Sequence, residues 1–174
     1  MRWWDIEQVL VLEDDLFPED AWTAGMFWAD LAQSRGPRAT RRFVVAEEEA
    51  GEEAGDDAGG DAGGDGGGDG AGRIVGYAAL AAVGGIGDVL SIAVARPSWG
   101  TGLGARLLSD LLQHATAFEC DEVLLEVRVD NTRAQKLYER FGFEPIGIRR
   151  GYYQPGNVDA LVMRHQVQGN AREC

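Results

Sequence analysis

From position 88 onward an apolar strand pattern runs into the turn Trp99-Gly100-Thr101-Gly102-Leu103-Gly104 and emerges as an amphipathic helix reaching position 118. Few folds accept that succession. The strand needs a sheet, and the helix must cover it, because Leu103, Leu107, Leu108, Leu111, Leu112 and Ala115 recur at helical spacing. The turn delivers the chain to a helix start, where backbone N–H groups lack an intrahelical partner. The helix dipole adds partial positive charge there. An anion such as a pyrophosphate suits that place, and glycine at 102 and 104 lets a phosphate approach the backbone closely. A tight strand-to-helix turn without a ligand is the plain alternative.

The rest of the chain reads as a mixed α/β plan around a central sheet. Asp5 is placed to cap a helix over 6–15, and Asp20 a second over 21–34, which Gly36-Pro37 ends. Strands are predicted over 42–46, 73–83, 88–95, 122–129, 143–150 and 159–165, with Gly84-Gly85 as a hairpin turn. A short helix is predicted over 131–140, ended by Gly142.

Charge is unevenly spread. The chain carries a formal net charge of -13, yet positions 47–72 hold ten acids and no base, leaving 19 acids against 16 bases elsewhere. That stretch of Glu, Asp, Ala and Gly has no aromatic residue and too little apolar surface to offset its ordering entropy. It is expected to be a disordered insertion within one domain spanning 1–167, with 168–174 as a flexible tail. The remainder lacks the basic face that nucleic acid requires. No apolar run approaches the roughly 18 residues of a membrane span, and the start of the chain lacks a signal-peptide pattern. Cys120 and Cys174 form no disulfide framework or metal spacing, and no metal is expected. A soluble cytoplasmic protein is the expectation.

Two further motifs carry chemistry. In Leu124-Leu125-Glu126-Val127-Arg128, alternation sets Val123, Leu125, Val127 and Val129 on one face and Glu126 on the other. An acid within an apolar strand must be paired, hydrated or used; an ion pair with a neighbouring Arg is the structural alternative to a catalytic role. In Asn131-Thr132-Arg133-Ala134-Gln135-Lys136-Leu137-Tyr138, Asp130 or Asn131 caps the helix, and the plain reading of Tyr138 is a core aromatic with a satisfied hydroxyl. His114 and His165 are the only histidines, and both read as surface or packing residues.

In this order and spacing the motifs resemble the GNAT superfamily of N-acetyltransferases over nearly the whole chain outside 47–72. The resemblance implies a mixed, mostly antiparallel seven-stranded sheet with about four helices, splayed at the cofactor site. It implies acetyl-CoA as co-substrate, its pantetheine arm paired with the backbone of Ile92, Ala93 and Val94. The family turn, Q/R-x-x-G-x-G/A, maps to positions 99–104, so that Gly100, Thr101, Gly102, Leu103, Gly104 and Ala105 hold the pyrophosphate and Asn131 touches the cofactor. Trp99 stands where Gln or Arg is usual, and Gly100 where a basic residue is common. The cradle is therefore expected to work almost wholly through its backbone.

Phe17-Pro18 ahead of Trp22, Leu125-Glu126-Val127-Arg128, Leu137-Tyr138-Glu139 and Arg149-Arg150-Gly151-Tyr152-Tyr153 are most similar to the ribosomal-protein alanine N-acetyltransferase branch, the RimI type. That similarity implies Glu126 as general base and Tyr138 as general acid. It implies an acceptor passage walled by Phe17, Pro18 and Trp22 on one side and Tyr152 and Tyr153 on the other. The implied acceptor is the N-terminal alanine of ribosomal protein eighteen of the small subunit, acted on by a monomer. Glu19, Asp20 or the acidic stretch would attract a basic peptide. The rival readings are an acetyltransferase for another N-terminus, lysine or a small amine, and a non-catalytic acetyl-CoA-binding regulator. A nucleotide module is disfavoured because no Gly-Lys-Ser/Thr follows Gly102.

Overall fold

The computed structural model describes residues 1–48 and 72–167. Four helices, α1 (Ile6–Leu16), α2 (Ala24–Leu31), α3 (Leu103–Ala117) and α4 (Thr132–Arg140), accompany six strands. The strands are β1 (Arg41–Glu48), β2 (Arg73–Val83), β3 (Ile86–Val94), β4 (Glu122–Arg128), β5 (Glu144–Tyr153) and β6 (Val158–Gln166). They form one sheet in the order β1-β2-β3-β4-β6-β5. All neighbours are antiparallel except β3 and β4. The expected class holds, with six strands in place of seven among the described residues. The expected disordered insertion lies almost wholly in 49–71 and the expected tail in 168–174, outside the described residues, although β1 continues through Glu47 and Glu48.

The core fills both faces of the sheet. Leu103, Leu107, Leu108, Leu111 and Ala115 of α3 are buried, as their spacing requires. Ile6, Val9 and Leu12 of α1 and Phe27 and Leu31 of α2 join Tyr77 and Leu80 of β2 in the same core. Gly76 of β2 shows how tightly the layers meet: a Cβ there would lie 2.9 Å from the Ala93 carbonyl oxygen and 3.2 Å from Leu103 Cδ2. That close approach seats the start of α3 against the end of β3.

Two helix starts differ from expectation. The Asp5 carboxylate accepts the Arg2 N–H inside a 3-10 turn and caps no helical N–H. The second helix is shorter than 21–34 because Trp22 N–H is drawn to the Glu13 carboxylate at 2.7 Å, and Thr23 then serves as the cap.

Candidate active site

The parallel pairing of β3 and β4 is short. It runs from Ile86 opposite Glu122 to Val89 opposite Leu125 and stops. At that point β3 carries a bulge, since Leu80 pairs with Val89 but Ala79 with Ser91, leaving Leu90 extra. β3 continues along β2 to Val94, and β4 continues along β6 to Arg128. The sheet therefore splays, leaving two unpaired strand edges that face each other.

Alternation decides which backbone groups face the gap. Ala95 N–H bonds Val75 O at 2.8 Å, so Ala93 also directs its backbone to β2, opposite Tyr77. Ile92 and Val94 are left facing the gap; Ala93, expected as a third pantetheine partner, is turned away. On the other lip, Val129 N–H bonds Asp159 O, which turns Glu126 and Arg128 toward the gap. Side-chain donors cover the exposed carbonyls: Trp99 Nε1 to Val94 O at 2.7 Å, Tyr153 hydroxyl to Glu126 O at 3.3 Å, and Gln135 Nε2 to Arg128 O at 2.9 Å. Buried or half-buried backbone groups demand such partners, and here side chains supply them.

The donor lip ends in the glycine turn. Gly100 and Gly102 have φ of +80° and +85°, a left-handed conformation that a side chain disfavours. A Cβ at Gly102 would meet nothing within 4 Å, so backbone conformation, not crowding, is what calls for glycine there. Gly102 is the N-cap of α3, and the first intrahelical bond runs from Arg106 N–H to Gly102 O at 3.1 Å. The N–H groups of Gly104 and Ala105 precede it and lie in the unpaired first turn. Leu103 N–H is held only loosely by Thr101 Oγ1 at 3.4 Å, while that hydroxyl donates to Ser98 O at 2.8 Å. Asn131 Oδ1 caps α4 through Ala134 N–H at 3.1 Å.

The acceptor lip carries ionisable side chains. Glu126 is a quarter exposed and accepts from Arg149 Nη1 at 2.6 Å. Arg149 is more than half exposed and also lies over the Tyr152 ring at 4.2 Å. Such an open ion pair is screened by solvent and holds the carboxylate only weakly. Tyr138 is buried against Phe143, with ring centres 5.8 Å apart. Burial pushes its hydroxyl pKa up to about 12, which keeps it protonated. The Tyr153 hydroxyl is also raised, first by burial, then by Tyr152, Glu126 and Tyr138 nearby. Tyr152, Glu126 and Tyr138 are thus each within electrostatic reach of Tyr153.

The loop between α1 and α2 supplies Phe17, Pro18 and Trp22. Phe17 and Trp22 pack against the core, and Pro18 is exposed. Glu19 approaches the β5–β6 hairpin: its Oε2 lies 3.8 Å from the Cβ position of Gly156. The loop and the Tyr152-Tyr153 hairpin therefore stand opposite each other beyond the end of β4.

Sequence reasoning missed three features. Arg149 lies in the Arg149-Arg150-Gly151-Tyr152-Tyr153 motif, but its pairing with Glu126 joins two strands and needs the β4-β6-β5 order. A buried chain of hydrogen bonds joins Trp22 N–H, Glu13, Tyr77 hydroxyl and Ser91, with Tyr77 to Ser91 at 2.9 Å. Glu13 sits on the buried face of α1, and that acid among apolar neighbours was the one signal available. The third feature is the contact of Arg133 with Trp99, at 3.6 Å from its guanidinium carbon to the ring centre. Among the described residues no group of His, Cys, Asp and Glu is placed to hold a metal, and no helix is long and apolar enough to cross a membrane.

Comparison with known proteins gives a consistent family. The model of the acetyltransferase (GNAT) family matches residues 6–143. An N-alpha-acetyltransferase RimI of Mycobacterium tuberculosis is 40% identical over 95 residues, 52% of this chain and 58% of that one. A putative [ribosomal protein bS18]-alanine N-acetyltransferase of Bacillus subtilis is 29% identical over 94% of this chain and 90% of that one. The crystal structure of the ribosomal-protein-S18-alanine N-acetyltransferase from Escherichia coli superposes with a TM-score of 0.72 at 20% identity, covering 100% of this chain and 95% of that one. The chain spans only 27% and 58% of the length of two mycobacterial relatives that it matches.

Proposed function

The chain belongs to the acetyltransferase (GNAT) family, and on that premise we propose that it transfers the acetyl group of acetyl-CoA to the α-amine of a protein N-terminus. The observation that carries this reading is the splay: a backbone-lined lip ending in a helix N-terminus faces a lip bearing Glu126 and Tyr138. The site fits acetyl-CoA. Ile92 and Val94 would meet the pantetheine arm, and the N–H groups at Gly102 to Ala105 would meet the pyrophosphate. Asn131, at the start of α4, would stand beside them. When bound, acetyl-CoA supplies a thioester carbon open to attack.

The residues of the acceptor lip then divide the proton work. A peptide α-amine has a pKa of about 8 and is partly protonated near neutrality. Glu126 takes its proton, directly or through a water, once the incoming ammonium has displaced Arg149. The neutral amine attacks the carbonyl, the C–S bond breaks, Tyr138 donates to the leaving thiolate, and the proton that the nitrogen sheds as the amide forms returns to Tyr138 through solvent. Backbone N–H at Ile92 polarises the carbonyl. Phe17, Pro18 and Trp22 flank the acceptor opposite Tyr152 and Tyr153. A monomer as the working unit is part of the same proposal.

For the acceptor itself, the similarity to proteins named for ribosomal protein S18 or bS18 alanine acetylation favours an N-terminal alanine of that protein. The test is incubation with acetyl-CoA and a peptide panel read by mass spectrometry. The panel varies the first residue and includes an N-terminally blocked, lysine-containing peptide. Acetylation at the free N-terminus is expected, strongest for alanine. Modification of the blocked peptide alone would reject the α-amine reading.

A further inference from the structure

Trp99 removes a polar side chain from the mouth of the glycine turn, and the sequence alone suggests that the cradle loses side-chain help there. The fold returns it from another helix. The Arg133 guanidinium carbon lies over the Trp99 indole, 3.6 Å from the ring centre. Four residues on, Leu137 sits on the same face of α4, and its Cδ2 lies 3.5 Å from the Cβ position of Gly104. One face of α4 thus lies along the turn, touching it at Gly104 and at Trp99. The indole is fixed in turn by its Nε1–H bond to Val94 O at the end of β3.

The charges around this stack are not equivalent. Arg96 also lies over Trp99, at 5.4 Å, but its guanidinium is held by Asp15 at 3.1 Å. Arg133 has no carboxylate within ion-pair distance among the described residues. Stacking uses the face of a guanidinium and leaves its N–H edges free to bind an oxyanion in the ring plane. It also removes much of the rotamer freedom that a long exposed side chain would lose on binding.

We propose that Arg133, held by Trp99, is the side-chain contact for the phosphates of CoA, and that Trp99 is its positioning residue. This rests on the acetyl-CoA reading above. The phosphate concerned is either the pyrophosphate or the 3′-phosphate, two sources of one chemistry that the test separates.

The test is equilibrium binding of CoA and of 3′-dephospho-CoA to the full chain at low and high salt. Arg133→Ala is expected to weaken CoA binding about tenfold at low salt, with a smaller loss at high salt because the contact is exposed. Trp99→Ala is expected to weaken it at least about threefold. The double variant should bind no worse than Arg133→Ala, because Trp99 acts through Arg133. Trp99→Phe, which keeps an aromatic face, should retain most of the affinity and guards against a folding defect in Trp99→Ala. If the 3′-phosphate is the group, Arg133→Ala binds both ligands alike; if the pyrophosphate, it loses equally on both. Arg133→Ala affinities within about twofold of the unaltered protein for both ligands would overturn the proposal. Failure of the unaltered protein to bind either ligand would remove the acetyl-CoA reading itself, and this inference with it.

Discussion

The two lips of the cleft are made of different material. On the β3 side the working groups are backbone: the edge at Ile92 and Val94, two positive-φ glycines and the open first turn of α3. On the β4 side they are side chains: Glu126 beneath Arg149, buried Tyr138, and the Tyr152-Tyr153 pair. The difference suits the two substrates. A donor that never varies can be read by fixed dipoles, whereas proton transfer and acceptor choice need titratable and shaped groups. The donor side should then respond to substitution through affinity, and the acceptor side through turnover.

The largest expected effect tests the acceptor side. Glu126→Gln keeps the size of the side chain but removes the base, so kcat should fall by about 100-fold or more. CoA affinity, measured by calorimetry, should stay within about twofold. A variant that loses affinity and keeps turnover would erase the division between the lips. Tyr138→Phe should lower kcat by about tenfold, again with affinity retained, because a ring in that buried place preserves the packing against Phe143.

On the donor side, Gly102→Ala forces a side chain into φ +85°, at a cost of roughly 1–2 kcal/mol. Nothing crowds the new methyl group, so the strain falls on the turn and not on the core. The expected result is CoA binding weakened by about fivefold, with kcat at saturation unchanged. Loss of kcat without loss of affinity would show that the turn also positions the thioester.

The contrast between the lips also explains what could be read from the sequence. Backbone devices leave local signatures: a strand, glycines at fixed spacing and an amphipathic helix occupy consecutive positions from 88 to 118. The covering helix followed from them directly. Glu126 announced itself as an acid in an apolar strand. Its partner Arg149 did not, because the pair depends on β6 being inserted between β4 and β5. The splay was legible only through family resemblance, since nothing local says that β3 and β4 part after Val89 and Leu125. The orientation of Ala93 needed a register, and the stacking of Arg133 on Trp99 needed α4 to be docked. The second helix was overextended because its first residues answer to Glu13, nine positions upstream of Trp22.

Glu13 is the tie between the lips, and it supplies the smallest predicted effect. Its carboxylate accepts from Trp22 N–H, beside the acceptor wall, and from Tyr77, whose hydroxyl oxygen in turn accepts from Ser91 on β3. Burial raises its pKa above the ordinary 4.5, and the two hydrogen bonds oppose that shift without cancelling it. A carboxyl raised in the folded state favours folding when protonated. Its contribution is complete below the unfolded value and is lost as the pH climbs through the folded one. Glu13→Gln keeps a hydrogen-bonding side chain of the same shape without the charge: the amide oxygen accepts from Trp22, and its NH2 donates to the Tyr77 hydroxyl, whose own proton then turns to Ser91. The thermal midpoint of the variant, minus that of the unaltered protein, should therefore grow as the pH is raised above the ordinary 4.5 and level off once Glu13 is ionised in the folded state as well. A difference that stays flat would mean that Glu13 titrates alike in both states. One that shrinks with pH would mean that the ionised form is the one the fold prefers, with the link between the lips held by charge instead of a neutral hydrogen-bond chain.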